Sequence, residues 1–170
     1  MVWFQLLIDE PMTSSRIRAA AASDLDALID LEFAAFTADR ISRRSWHSLI
    51  ESLSATIIVA EIGGQVAGSA VLLFNQKTSV ARVYSLAVSA PARGQGLGAR
   101  LLESAIEKAE RRGLRFVRLE TRVDNMTAQR LFETCGFVPF ERTATYYEDG
   151  TDALRYQRVL PGIGAAGSLQ

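Results

Sequence analysis

The sequence predicts an α/β protein built on one mixed sheet, antiparallel in its first part, with a single parallel strand–helix–strand unit after Tyr84. Three features carry this expectation. Gly63-Gly64 separates two apolar runs, ATIIVAEI and QVAGSAVLLF, which is a two-residue hairpin signal. VARVYSLAV (80–88) and LRFVRLETRV (114–123) enclose a helical segment long enough to cross back over a sheet. Apolar residues recur at helical spacing on both sides of these strands.

In chain order, RIRAA (16–20) reads as a short strand. Ser23 stands as the N-cap of a first helix, with Asp26 three residues on, resembling a capping box. Leu25, Leu28, Ile29, Phe33 and Phe36 mark the apolar face of that helix, and Leu31 fits it less well. SRRSWHSLIESL (42–53) is a second, shorter helix, with His47 on its surface. After the hairpin and the 80–88 strand, a third helix runs from Leu97 to Arg112 and stops at Gly113. Ala128, Leu131, Phe132 and Cys135 mark a fourth, stopping at Gly136, with Cys135 in the core. FVPFERTATYY and DALRYQRVL are two closing strands joined around Asp149-Gly150. The order is β-α-α-β-β-β-α-β-α-β-β.

At 170 residues the chain reads as one domain, spanning 16–160, with no internal repeat or interior linker. Residues 1–15 form an extension whose apolar start, MVWFQLLI, has no basic flank or small-residue cleavage site and is too short to span a membrane. Two readings of it stand, a genuine leading strand or initiation at Met12. PGIGAAGSLQ (161–170) reads as a flexible tail. Basic and acidic residues balance at 19 each, so neither a nucleic-acid nor a membrane partner is expected. A single cysteine makes neither an internal disulfide nor a cysteine-cluster zinc site; the expectation is a cytoplasmic, metal-free protein, monomer or homodimer.

PARGQGLGARLL (91–102) concentrates glycines where a helix begins. A phosphate-binding P-loop needs Gly-Lys-Ser/Thr at the helix start, and here Gly98 is followed by Ala99 and Arg100. Gly94, Gly96 and Ala99 satisfy the dinucleotide pattern G-x-G-x-x-A, and Glu120 ends the following strand. However, Pro91, Ala92 and Arg93 separate that motif from its strand, and too little chain remains for two mononucleotide-binding halves. The remaining reading is R-x-x-G-x-G, Arg93, Gly96 and Gly98. In it the free N–H groups and dipole of the helix start face an anion across side-chain-free backbone.

This loop, with YSLAV before it and LETRVDNMTAQRLFETCGF after it, resembles the acetyl-coenzyme A loop of the GNAT N-acetyltransferase superfamily. The resemblance runs from about Ile17 to Leu160 and includes the element order. It is closest to the bacterial ribosomal-protein alanine N-acetyltransferases. It implies acetyl-CoA as co-substrate and direct transfer to an amine in a ternary complex. It implies a bulged central strand whose Leu86, Ala87 and Val88 backbone meets the pantetheine arm. Arg93, Gly94, Gln95, Gly96, Leu97, Gly98 and Ala99 hold the pyrophosphate in this comparison, and Asn125 and Ala128 match the family's Asn-x-x-Ala at the pantetheine. Asn125 also reads as a helix N-cap, and Ala128 as core.

The resemblance makes Glu120 the general base, through water; otherwise Glu120 is a surface residue paired with Arg118 or Arg122. The Val88 N–H is expected to polarise the thioester carbonyl. The family's tyrosine acid falls at Phe132, which has no proton to give, although its ring can pack at the sulfur end of the cofactor. Tyr84, Tyr146 or Tyr147 could supply the proton instead, with Tyr147 and Tyr84 the candidate catalytic tyrosines. Solvent could supply it, or the protein is a non-catalytic acyl-CoA sensor. TATYYEDGTDALRY resembles the acceptor hairpin of N-terminal acetyltransferases, which makes Tyr146 and Tyr147 acceptor-site residues; a strand-end aromatic pair is the alternative. Arg40, with Arg43 and Arg44, gives the facing 36–46 segment positive charge. The expected acceptor is a protein or peptide N-terminus such as that of a ribosomal protein. The alternative is a small-molecule amine such as an amino acid, a polyamine or an antibiotic.

Overall fold

A computed structural model describes residues 14–162. The expected leading strand, the choice between Met1 and Met12, and residues 163–170 of the expected tail lie outside the described residues. The strands are β1 (Ser15–Ala19), β2 (Ala55–Ile62), β3 (Gln65–Asn75), β4 (Val80–Val88), β5 (Phe116–Arg122), β6 (Val138–Thr143) and β7 (Ala153–Val159). The helices are α1 (Leu25–Ala35), α2 (Arg43–Glu51), α3 (Leu97–Arg111) and α4 (Met126–Thr134). The strands form one 7-stranded sheet in the order β1-β2-β3-β4-β5-β7-β6, with β4–β5 the parallel pair and the other neighbours antiparallel. This is the mixed α/β architecture and element order that the sequence predicts.

Local chemistry explains the boundaries. Gly63 and Gly64 hold φ of 57° and 80°, the left-handed pair that a tight hairpin between β2 and β3 requires. Ser42 caps α2 by accepting from the Ser45 N–H at 3.1 Å. Ser23 does not cap α1. Ala22–Asp24 form a 3-10 turn ahead of it, and the Asp24 carboxylate accepts from the Ala21 N–H at 2.7 Å. Arg18 on β1 grips both Asp24 oxygens, at 2.7 and 2.9 Å, which fixes the aspartate rather than the serine as the local cap. The closing strands also differ from expectation. β6 ends at Thr143, so Tyr146 and Tyr147 lie in the β6–β7 loop. Thr145 turns the chain out at φ 51°, held by its N–H donating to Asp152 at 3.0 Å. β7 inserts between β5 and β6, leaving β6 at the edge, with Pro139 in it and a register shift between Pro139 and Glu141.

Two cores form, one on each face. α3 and α4 bury Leu101, Leu102, Ile106 and Phe132 against Leu72, Val117, Leu119 and Tyr156. α1 and α2 bury Leu28 and Trp46 against Ile57, Val59 and Val71. Cys135 is in the first core and His47 is on the surface, as expected.

β4 connects the two faces. Leu72 pairs with Val83 and Val71 with Ser85, so Tyr84 is an extra residue, a β-bulge. The bulge reverses the side-chain alternation. Before it, Ala81 and Val83 face the α3 core; after it, Leu86 and Val88 do, while Ser85 turns to α1. There Ser85 donates to Glu32 at 3.1 Å, and the other Glu32 oxygen accepts the Ile41 N–H at 3.1 Å. Glu32 is 3% exposed, and burial pushes its carboxyl above the usual glutamate range, against the opposing pull of those two donors.

A raised native pKa means that the folded state holds the Glu32 proton more tightly than the unfolded chain. That contribution to stability is full below the unfolded glutamate pKa of about 4.3 and is lost as pH rises through the native value. Glu32→Gln keeps an acceptor for Ile41 and a donor for Ser85 without the titration. Denaturant midpoints should therefore show the Gln variant gaining on wild type as pH rises from about 4 to about 8. Glu32→Ala strands the Ile41 N–H and should lose about 1–3 kcal/mol throughout. A wild-type-to-Gln difference that is flat across pH would refute this assignment.

Candidate active site

β4 and β5 pair only from Val80↔Phe116 to Arg82↔Arg118. Beyond Arg82 the two strands splay, and from Tyr84 onward the β5-facing edge of β4 is unpaired within the sheet. The Ser89 N–H donates to Ala67 O at 2.8 Å, so by alternation Ala87 and Ser85 bond β3, while the Leu86 and Val88 backbone groups face the gap.

The glycine loop closes one end of this gap. Gly94 and Gly96 hold φ of 76° and 78°, and a Cβ at either would meet nothing within 4 Å. Gly98 serves a different purpose: its Cβ would lie 3.0 Å from Leu131 Cδ2 and 4.0 Å from Val88 Cγ2, so its absence lets α3, α4 and the end of β4 converge. α3 begins with no side-chain cap, leaving its first N–H groups available, and Arg100 N–H to Gly96 O is the first helical bond. Arg93 Nε donates to Val88 O at 3.3 Å, and Gln95 donates to Pro91 O at 3.3 Å, which folds the loop over the strand end. Asn125 caps α4, accepting from the Ala128 N–H at 3.1 Å.

Glu120 is on the opposite face of β5 from Leu119 and the α4 core, together with Phe116, Arg118 and Arg122. It pairs with neither of its expected partners. Arg118 bonds Gln157 at 2.8 Å, and Arg122 bonds Asp149 at 2.6 Å and Thr151 at 2.7 Å. Instead Arg82 of β4 donates to Glu120 Oε1, and the Tyr146 hydroxyl donates to the same oxygen at 2.9 Å. Arg82 Nε is buried with no partner among the described residues. Burial, then donation to Glu120, holds the Tyr146 phenol above the ordinary tyrosine range, against the pull of Arg82. Burial and the Glu120 charge raise Tyr147 in the same direction.

The β6–β7 loop is tied to the sheet by Arg122, whose guanidinium is also 5.2 Å from the Tyr147 ring centre. Tyr146 and Tyr147 pack edge-to-face at 5.1 Å, and both of their N–H groups donate to Thr151 O at 3.1 Å. The charge of Asp39, in the α1–α2 segment, is the smallest of the influences that raise Tyr147. Arg40 donates to the Phe36 carbonyl and lies over the Phe33 ring, 4.0 Å from its centre, and Arg43 pairs with Asp26 at 2.6 Å. Tyr84 is half-exposed, its ring 5.7 Å from the Arg82 guanidinium. Phe132 is 5% exposed on the α4 side, against Tyr156 at 5.5 Å and Phe137 at 6.3 Å.

Arg82 is the residue at Glu120 that sequence reasoning missed, and Arg122, expected beside Glu120, instead holds the β6–β7 loop. The parallel register was the available signal for Arg82: setting VAR (80–82) beside FVR (116–118) puts Arg82 next to the Glu120 face. Glu32 also went unremarked, because nothing local distinguishes a buried glutamate from a solvated one on α1.

Residues 25–137 match the profile of the Acetyltransferase (GNAT) family. A candidate ribosomal protein bS18-alanine N-acetyltransferase of Bacillus subtilis is 32% identical over 143 residues, covering 84% of this chain and 93% of that protein. N-alpha-acetyltransferase 30 of Schizosaccharomyces pombe is 39% identical over 71 residues, 42% of this chain and 47% of that one. The crystal structure of the ribosomal-protein-S18-alanine N-acetyltransferase from Escherichia coli superposes with a TM-score of 0.79 at 26% identity, covering 92% of this chain and 100% of that chain.

A raised Tyr146 pKa keeps the phenol protonated, and a donor, through neutral pH. Its stabilising contribution is present below the ordinary tyrosine pKa of about 10 and is lost as pH rises through the native value. Spectrophotometric titration should show a tyrosine ionising above that range which disappears in Tyr146→Phe. An unchanged alkaline titration in the variant would contradict the hydrogen bond to Glu120.

Proposed function

Because the chain belongs to the acetyltransferase (GNAT) family, we propose that it transfers an acetyl group from acetyl-CoA directly to the α-amine of a protein or peptide N-terminus, with both substrates bound together. The observation that carries this reading is the position of Glu120: a partly buried carboxylate on the open face of the sheet, beside the strand gap, with the glycine loop at one end of that gap.

The residues present fit the donor. Uncapped N–H groups at the start of α3 suit a pyrophosphate, and Gly94 and Gly96 leave room for it. The Leu86 backbone and the Val88 N–H, unpaired within the sheet, suit an amide-bearing arm added like a strand. Acetyl-CoA supplies the acyl group as a thioester. Glu120 takes the proton from the attacking amine through water, and the Val88 N–H stabilises charge on the carbonyl oxygen. The C–S bond then breaks. Phe132 cannot protonate the departing sulfur, but a thiol of pKa near ~8.5 leaves as the anion and takes its proton from water. An α-amine, with pKa near ~8, needs less help from a single carboxylate than a lysine near ~10.4. The relatives named for ribosomal protein alanine and N-alpha acetylation make a ribosomal protein N-terminus a natural acceptor.

Thiol release with acetyl-CoA and a panel of peptides, amino acids, polyamines and aminoglycosides tests the acceptor. Peptide-only turnover supports the proposal. Turnover confined to small amines replaces the acceptor, and tight acetyl-CoA binding without any turnover identifies a sensor.

Gly96→Ala should cost about 1–2 kcal/mol of stability through its left-handed backbone, yet retain acetyl-CoA binding. Gly96→Glu, with a carboxylate in the phosphate position, should abolish binding in calorimetry. Equal affinities for the two variants would remove the loop from the donor site.

Glu120→Gln should lower kcat by ~10²–10⁴-fold with acetyl-CoA affinity unchanged. A near-wild-type rate would reduce Glu120 to the ion-pair partner of Arg82.

A further inference from the structure

A cavity of about 380 Å³ opens next to Glu120 on the same face of the sheet, with Arg82, Arg118, Arg155, Glu120, Leu73 and Asn75 among its lining residues. The charges in it do not balance. Arg82 is paired with Glu120, and Arg155 donates to Glu141 at 2.6 Å. Arg118 has only a neutral partner, the Gln157 side-chain amide oxygen Oε1 at 2.8 Å, and no carboxylate among the described residues. Its guanidinium is held against two aromatic rings, 5.5 Å from the Phe116 centre and 5.2 Å from the Phe140 centre. A half-buried, stacked guanidinium is less screened than a free surface one and loses little freedom on accepting a ligand.

We propose that this cavity is an anion subsite of the acceptor site, in which Arg118 receives the acidic side chain at the second residue of an N-terminal peptide. The proposal rests on the acetyltransfer reading above and names the acceptor class for it. Arg118 and Glu120 are two residues apart on one strand face, their Cα atoms about 6.7 Å apart at roughly 3.3–3.4 Å per residue. Both residues line this one cavity, so a peptide whose amine is at Glu120 can place the side chain of its second residue at Arg118. The fork of N–H donors on Arg118 matches a carboxylate, and the Gln157 bond leaves part of that fork unused.

The test uses the full chain, acetyl-CoA and two isosteric peptides, Ala-Asp-Ala-Ala and Ala-Asn-Ala-Ala, with wild type, Arg118→Gln and Arg118→Lys. Wild type should prefer the aspartate peptide by about five- to tenfold in kcat/KM, expressed mainly in KM and weakened by salt. In Arg118→Gln that ratio should fall to near one, and Arg118→Lys should restore part of it. Equal use of the two peptides by wild type overturns the subsite, as does a preference that survives in Arg118→Gln. Free alanine acetylated with the same Arg118 dependence would assign the anion to the α-carboxylate and overturn the second-residue placement. Absence of thiol release with every acceptor removes the acetyltransfer reading instead. Calorimetry of the same two peptides against wild type and Arg118→Lys then still decides the subsite, because selective aspartate binding needs no chemistry. Thermal melts of each variant separate a lost contact from a lost fold.

Discussion

The early end of pairing between β4 and β5 is the constraint on which the rest of this structure depends. Three residue pairs join the only parallel strands among the described residues, and then the sheet opens. A parallel ladder continued to Val88 would satisfy every backbone group and leave no place for a ligand between the strands. The Tyr84 bulge accompanies the opening and turns Ser85 toward α1, while Leu86 and Val88 stay anchored over α3. The two sides of the opening are then fixed independently. Glu32 ties Ser85 to the α1–α2 segment, and the missing side chain at Gly98 lets Leu131 of α4 close against α3.

Electrostatics on the open face follow from the same geometry. Where β4 and β5 still touch, their registers put Arg82 beside Arg118 and bring its guanidinium to Glu120. A fully exposed ion pair of this kind contributes about 0–1 kcal/mol and fixes little. The Glu120 side chain is only 14% exposed, and Tyr146 shares the same oxygen, so this carboxylate is held in one orientation. Arg122 does the equivalent for the β6–β7 loop, through Asp149 and Thr151. The candidate site is therefore assembled by arginines reaching between elements, on a chain whose net charge is zero.

The sequence was most legible where the signal is local. The Gly63-Gly64 hairpin, the ends of α3 and α4 at glycines, the β4 boundaries and the uncapped glycine loop all follow from residue type and spacing. Legibility failed where a partner distant in sequence decides. Asp24 displaces Ser23 as the cap because Arg18 holds it from β1, and Glu120 meets Arg82, 38 residues away, instead of its strand neighbours. The order β5-β7-β6 had no local marker either. It follows from β7 offering Ala153 and Tyr156 for burial while β6 is exposed along nearly its whole length.

That exposed edge has a consequence for the behaviour of the chain in a crowded solution. An open row of backbone donors and acceptors is a template on which another strand can add, the first step toward edge-to-edge polymerisation. β6 interrupts the row twice, with Pro139 contributing no N–H and the irregularity at Phe140 breaking the regular repeat. Among the described residues the other margin is β1, five residues long and carrying Arg16 and Arg18. Among the described residues both margins are thus poor templates, so β-strand surface can remain uncovered beside the site without inviting edge-to-edge addition there.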